Sequence, residues 1–262
     1  MDTDLSGTTA LVCGASQGIG LATAVALAGL GAHVTLFARD RLRLEEAMAS
    51  LPLVPGASHD LALADFAEPG GVLAAASQAM ERAGGFDILI NNTGGPPGGP
   101  IADAPGDAFL EAMTAHLVNN QNLAQLVLPG MRAKGFGRIV NILSTSVKCP
   151  IPGLGVSNTV RAAVAAWGKT LAGEVAADGI TVNSVLPGFT DTARLASLFE
   201  GKARKQGTDT GTVRNEALAT IPMGRLGRAE EVAAAVAFYC TPAASYITGT
   251  VLAVDGGRTP AF

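Results

Sequence analysis

A short apolar run, Thr9 to Cys13, breaks into the turn Gly14-Ala15-Ser16-Gln17-Gly18-Ile19-Gly20, and an Ala-rich helical stretch continues from Ile19 to Leu30. No other segment restricts the fold so strongly. Glycines here let the backbone reverse tightly, let phosphate oxygens approach the main chain and let the helix pack close on the strand. The helix N-terminus beyond them favours negative charge. The spacing Gly-x-x-x-Gly-x-Gly is a variant of the commoner dinucleotide fingerprint, and in isolation it also describes an ordinary strand-to-helix turn. Its place in the first strand–helix unit of the chain favours the dinucleotide.

The rest of the chain repeats that strand–helix unit. Apolar runs rich in β-branched residues recur at His33 to Ala38, Phe86 to Asn91, Arg138 to Ser144, Thr181 to Leu186 and Thr250 to Val254. Helical patterns lie between them at Arg41 to Ser50, Gly71 to Arg82, Asp107 to Lys134, Val156 to Ala177 and Glu230 to Tyr239. Strands that are apolar throughout and alternate with helices belong to a parallel sheet covered on both faces. No linker, repeat or break in composition divides the chain. The expectation is α/β: one doubly wound Rossmann domain over residues 1–262, with a substrate-lid insertion around 191–226.

Hydrophobic residues make up 48% of the chain, enough for two buried sheet faces, and the net charge of -4 argues against nucleic acid as a partner. The uncharged stretches Leu21 to Ala38 and Val232 to Val254 are long, but Gly, Pro and polar residues interrupt both. Each reads as helix, turn and strand, not as a membrane span. Cys13, Cys149 and Cys240 form no CxxC pair and suit a reducing compartment. The start Met1-Asp2-Thr3-Asp4 lacks the basic and apolar parts of a signal peptide, so a cytoplasmic protein is expected. No metal site is assigned.

Several motifs in order carry a resemblance. They are Gly14 to Gly20, Asn91-Asn92-Thr93-Gly94, Asn141-Ile142-Leu143-Ser144, Pro187-Gly188 and Asp255-Gly256-Gly257. With them the chain resembles the short-chain dehydrogenase/reductases over essentially its whole length. The resemblance implies a nicotinamide cofactor on Gly14, Ser16, Gln17, Gly18, Ile19 and Gly20, bordered by Asn91 and Gly94. It implies that Asp60 and Leu61 flank the adenine and that Pro187, Gly188 and Thr192 surround the nicotinamide. It also implies a homotetramer built by the helices 107–134 and 156–177 and the last strand.

The second strand ends Phe37-Ala38-Arg39-Asp40. NAD enzymes place an acid there for the ribose hydroxyls, and NADP enzymes need a cation for the 2′-phosphate. Ala38 takes the acid's usual place, and Arg39 can grip phosphate with two donors. NADP(H) is therefore expected over NAD(H), unless Arg39 merely pairs with Asp40 or with solvent.

The family's catalytic pattern implies a Ser, a Tyr, a Lys one helical turn later, and an Asn upstream. Ser144 fits the Ser, but the Tyr position falls on Ser157, the Lys position on Arg161 and the Asn position on His116. Ser157 is a poorer acid on a shorter arm. Arg161 can bind ribose hydroxyls but stays protonated. His116 is a candidate proton donor because imidazole titrates near neutrality. Lys148 is a second, if burial beside Arg161 lowers its pKa. A packed histidine and a solvated lysine are the plainer readings of both. Gly95-Pro96-Pro97-Gly98-Gly99-Pro100 reads as a stiff pocket wall or simply a rigid loop. Gly201-Lys202-Ala203-Arg204-Lys205 reads as an anion attractor or a solvated helix face.

Three functions remain open at this level. The first is an NADP(H)-dependent reductase of a ketone, resembling 3-oxoacyl reductases, or the reverse alcohol dehydrogenase, acting on a small-molecule substrate. The second is a dehydratase, isomerase or decarboxylase on the same scaffold. The third is a catalytically silent NADP(H)-binding protein. Fold alone does not separate them.

Overall fold

The structure is a computed structural model, and it describes residues 1–261. Seven parallel strands form one sheet in the order β3-β2-β1-β4-β5-β6-β7. They are β1 (Thr9–Cys13), β2 (His33–Ala38), β3 (Asp60–Leu63), β4 (Ile88–Asn91), β5 (Gly137–Ile142), β6 (Ile180–Pro187) and β7 (Val251–Val254). The central strands β1, β4 and β5 are buried on both faces, which is why their sequences are apolar at successive positions instead of alternating. Alternation survives in the partners. Ala10 and Val12 pack into one core cluster, with α1 (Gly18–Gly29) and α9 (Ala229–Cys240). Leu11 and Cys13 point into the opposite cluster, with α3 (Pro69–Ala83) and α5 (Asn119–Lys134).

Chain order reverses at β1 and β4, which are neighbours although two strands separate them in sequence. Connections leave these two strands in opposite directions, so a crevice opens at their carboxyl ends. Residues from α6 (Gly155–Val175) close one side of it. The late segment forms α7 (Ala193–Gln206) and α8 (Thr210–Ala219), which share a small apolar cluster of their own around Leu195, Phe199 and Val213. Helix α2 (Arg41–Ala49) comes after β2, with Asp40 capping its N-terminus by accepting the Arg43 N–H.

Two elements differ from the sequence reading. The helix expected from Asp107 to Lys134 is wound in three parts: α4 (Gly106–Met113), a π turn over Thr114–Val118, and α5. Side-chain anchors accompany the extra residue of that turn. Asn119 Nδ2 donates to Phe66 O at 2.8 Å and back to Ala115 O at 3.4 Å. The second difference is β3, an edge strand in which only Ala62 is buried, so no apolar run marks it in the sequence. No helix among the described residues is long and apolar enough to cross a membrane. Cys13 and Cys240 are buried free thiols, and Cys149 is exposed.

Candidate active site

The crevice is one continuous cleft of about 1860 Å³, reaching from the Gly14 turn to α7. It exceeds the ~300–1,000 Å³ of a single small-ligand pocket and has room for a dinucleotide and a second molecule. Gly14, Ser16, Gln17, Gly18 and Ile19 line one end. Helix α1 begins there with no side-chain cap and no acid in its first turn, so its first N–H groups are left for a ligand. Gly14 has φ 61°, and a Cβ on it would stand 2.6 Å from Asn92 Nδ2. Gly20 lies behind the turn instead of on the cleft surface. A Cβ there would meet Gly14 O at 2.1 Å, so this glycine lets the helix seat against the turn. An uncapped helix start behind a glycine-rich turn fits a pyrophosphate.

Beyond the turn, Ala38 and Arg39 line the cleft, and Arg43, which the sequence reading passed over, lines it beside them. Arg39 pairs with Asp65 at 3.4 Å, not with Asp40, and both side chains are exposed. Arg43 donates to Gln17 Oε1 at 2.9 Å and pairs with Asp40 at 3.4 Å. Two cations, Arg39 and Arg43, therefore line this end of the cleft, and the second reaches the turn from α2.

Besides Gly20, four of the expected site residues do not line the cleft. Asp60 and Leu61 do not line the cleft, because they stand at the amino end of β3, where Asp60 binds Arg82 at 2.8 Å. The carboxyl end of the strand is what meets the crevice, and Asp65 and Phe66 line it there. Asn91 is buried in the sheet, donating to Asn141 Oδ1 at 2.9 Å, and its neighbour Asn92 faces the cleft instead. Lys148 does not line the cleft either. It ends the short 3-10 turn Thr145–Val147, and what burial brings beside Arg161 is a second arginine, Arg194.

The structure brings Gly94, His116, Ser144, Ser157, Arg161, Pro187, Gly188 and Thr192 onto the walls of the same cleft. Among the lining residues, all of them described, there is no tyrosine and no lysine. Ser144 Oγ accepts the Ser146 N–H at 3.1 Å, which leaves its own O–H free to donate. Ser157 and Arg161 sit one turn apart on α6, and Arg161 Nη1 donates to Ile142 O at 2.9 Å. Burial first, and Arg194 second, lower the Arg161 pKa to about 10, so the guanidinium is still charged at neutral pH. His116 rides on the π turn and hydrogen-bonds through Nδ1 with Thr93 Oγ1. Burial, then the Arg161 charge, push its pKa down to about 3, with a weaker opposing pull from the Gly94 backbone. The premise that made His116 a proton donor, titration near neutrality, does not hold in this surrounding. It is a neutral imidazole that accepts or donates hydrogen bonds.

Helix α7 contributes Arg194, also absent from the sequence reading. It is exposed overall, and its Nη2 donates to Pro96 O at 2.8 Å. Lys205 reaches Gly98 O at 3.4 Å, so two of the four cations of α7 touch the Gly95–Pro100 loop. Lys202 instead pairs with Glu216 on α8.

A family model described as enoyl-(acyl carrier protein) reductase matches residues 14–259. A tropinone reductase homologue of Arabidopsis thaliana is 35% identical over 259 residues, covering 97% of this chain and 91% of the relative. The 3-oxoacyl-[acyl-carrier-protein] reductase of Vibrio cholerae is 35% identical over 254 residues, covering 97% of this chain and 98% of the relative. Among solved structures, L-sorbose reductase from Gluconobacter frateurii, complexed with NADPH and L-sorbose, superposes with a TM-score of 0.92 at 33% identity. That superposition covers 100% of both chains.

Proposed function

The chain belongs to the short-chain dehydrogenase/reductase family, a family of NAD(P)-dependent oxidoreductases, and from that premise we propose that it is an NADP(H)-dependent reductase of a small carbonyl compound, working without the usual phenol and ammonium. One observation carries the reading. A single cleft joins the uncapped start of α1 and the Arg39–Arg43 pair to Ser144 and Arg161. Gly14 to Ile19 would hold the pyrophosphate, Arg39 and Arg43 the 2′-phosphate, and Pro187, Gly188 and Thr192 the nicotinamide side. The sorbose reductase with NADPH at TM-score 0.92 supports this choice of ligand.

The chemistry that bound NADPH would supply there is a hydride for the carbonyl carbon. The chain's task is the oxygen that becomes negative. Ser144 donates its free O–H to that oxygen, and Arg161, itself buried, places a fixed positive charge beside it. Its tie to Ile142 O at 2.9 Å keeps the guanidinium in place before reaction begins. Ser157 is too short to take the phenol's part and leaves room for substrate. The neutral His116 holds Thr93 and shapes the wall. With no group near neutrality to give a proton, the alkoxide takes its proton from water. Helices α7 and α8 act as the substrate lid, and the homotetramer of the family is expected.

A second reading is favoured by one observation, the lack of any lining tyrosine or lysine. On it the cofactor is held but not consumed, and the site dehydrates, isomerises or decarboxylates its substrate. One experiment separates the two. A panel of ketones and alcohols is followed by NADPH absorbance and product mass together, after the dissociation constants of NADPH and NADH are measured. The first reading expects tighter NADPH binding and one alcohol formed per NADPH oxidised. Conversion without oxidation supports the second, and tighter NADH binding overturns the cofactor assignment.

A further inference from the structure

Arg161 and Arg194 come together from different elements, α6 and the start of α7, and neither has a carboxylate within salt-bridge distance among the described residues. Each guanidinium has five donors. One of Arg161's goes to Ile142 O and one of Arg194's to Pro96 O. Arg161 Nη2, which makes no hydrogen bond among the described residues, and Arg194 Nη2, which keeps one N–H beyond its bond to Pro96 O, both come close to Gly95. A methyl group built on that residue would stand 3.3 Å from Arg194 Nη2 and 3.7 Å from Arg161 Nη2. Two cations therefore face one gap that has been kept free of a side chain.

This arrangement is costly without a ligand. Arg161 is only 8% exposed, and a buried charge needs a partner of opposite sign or a full set of hydrogen bonds. The second cation stands nearby instead, and the two repel, which is part of why the Arg161 pKa is lowered. Arg194 also sits in the first turn of α7, where a positive side chain opposes the helix dipole. All three costs fall if an anion occupies the gap. The dinucleotide phosphates are placed at the other end of the cleft, by Gly14–Ile19 and the Arg39–Arg43 pair, so the anion belongs to the second molecule.

We propose that Arg161 and Arg194 clamp a carboxylate of the substrate, so that the carbonyl compound taken here is a short oxo acid. The inference rests on the reductase reading above for the carbonyl, while the clamp stands on the arginines alone. A carboxylate matches the fork of a guanidinium with two parallel hydrogen bonds. Arg161, tied to the strand end that leads into Ser144, links the carboxylate to the carbonyl and limits the bonds between them to a few. Arg194, on the lid, exchanges its Pro96 contact for the substrate or keeps it with one arm, and in either case the anion draws α7 over the cleft.

The test is calorimetric, on the NADP⁺-loaded protein so that nothing turns over. Acetoacetate is titrated against methyl acetoacetate, which has the same carbonyl without the charge. Wild type is expected to prefer the acid by about tenfold to a hundredfold, the worth of charge-assisted hydrogen bonds. Arg194→Gln is expected to bring the two affinities together, and so is Gly95→Ala, whose methyl narrows the gap without removing a charge. Equal binding of acid and ester by wild type overturns the clamp, as does a preference that survives both substitutions. A preference for acid that vanishes when NADP⁺ is loaded also overturns it, by giving the arginines to the cofactor. Inorganic phosphate competing as well as acetate does overturns the assignment to a carboxylate. The accompanying NADP⁺ titration reads the dinucleotide site separately. If NADP⁺ does not bind, the reductase reading fails while the acid-to-ester ratio of the unloaded protein still decides the clamp.

Discussion

Replacing His116 by Gln removes one proton acceptor whose folded and unfolded states differ greatly, and the effect on acid stability can be worked from the structure. The imidazole is 3% exposed, and burial and Arg161 push its pKa from the ordinary 6.5 to about 3. In the unfolded chain it protonates near its ordinary value. Above that value both states are neutral and the histidine adds no pH dependence. Below it the unfolded state binds a proton that the folded state refuses, so stability falls as pH falls, by ~1.4 kcal/mol per pH unit, until the folded pKa is reached. Between pH 8 and pH 5 the loss comes to about 2 kcal/mol. Asp209 and Glu231 have lowered pKa values, so their contribution is held above the carboxylate range and lost only in more acid solution, outside this interval. Urea unfolding of wild type and His116→Gln at half-unit steps from pH 8 to pH 5 measures the difference. The wild-type curve is expected to drop more steeply, and the gap between the curves to change by about 2 kcal/mol across the series. Parallel curves would refute the claim that His116 is buried as a neutral ring, and would restore it as a candidate acid.

Arg161→Met removes the charge beside His116 and should raise the His116 pKa from about 3 while burial still holds it below the ordinary value; NMR titration of the ring protons reads this. Arg43→Ala should weaken NADPH binding by about tenfold to a hundredfold and leave NADH nearly unchanged, in fluorescence titrations, if Arg43 meets the 2′-phosphate. Gly20→Ala forces a Cβ to within 2.1 Å of Gly14 O, and the shift it imposes should cost roughly 1–3 kcal/mol in urea unfolding and loosen NADPH as well. A Gly20→Ala protein as stable and as tightly bound as wild type would mean the turn is not packed as described.

How much of the fold and the site is legible in the sequence depends on whether the cause is local. The central strands announce themselves because both of their faces are buried, and the Gly14 turn because its chemistry lies within seven residues. Edge strand β3 has only Ala62 buried and leaves no such trace. Without its carboxyl end fixed, the expectation falls on Asp60 and Leu61, while the residues that line the cleft are Asp65 and Phe66. The cations are harder still. Arg43 meets Gln17 across 26 positions and Arg194 meets Pro96 across 98, and no spacing rule connects such pairs. His116 can be found by position, but its protonation cannot, because that depends on burial and on a charge arriving from α6. Residue type and order are written in the chain. Electrostatic surroundings exist only once it has folded.

The π turn that carries His116 has one consequence for how such a site can change. A π turn holds one residue more than an α turn, so removing one residue from Thr114–Val118 leaves a regular helix instead of a break. Leu123, Val127 and Met131, which anchor α5 on the sheet, keep their register while the residues before the deletion turn by about 100°. Deletion of Ala115 would thus re-aim the α4 wall of the cleft while His116 and the core keep their places. A library of one-residue deletions across 114–118 should stay folded where the same deletions within 120–131 do not.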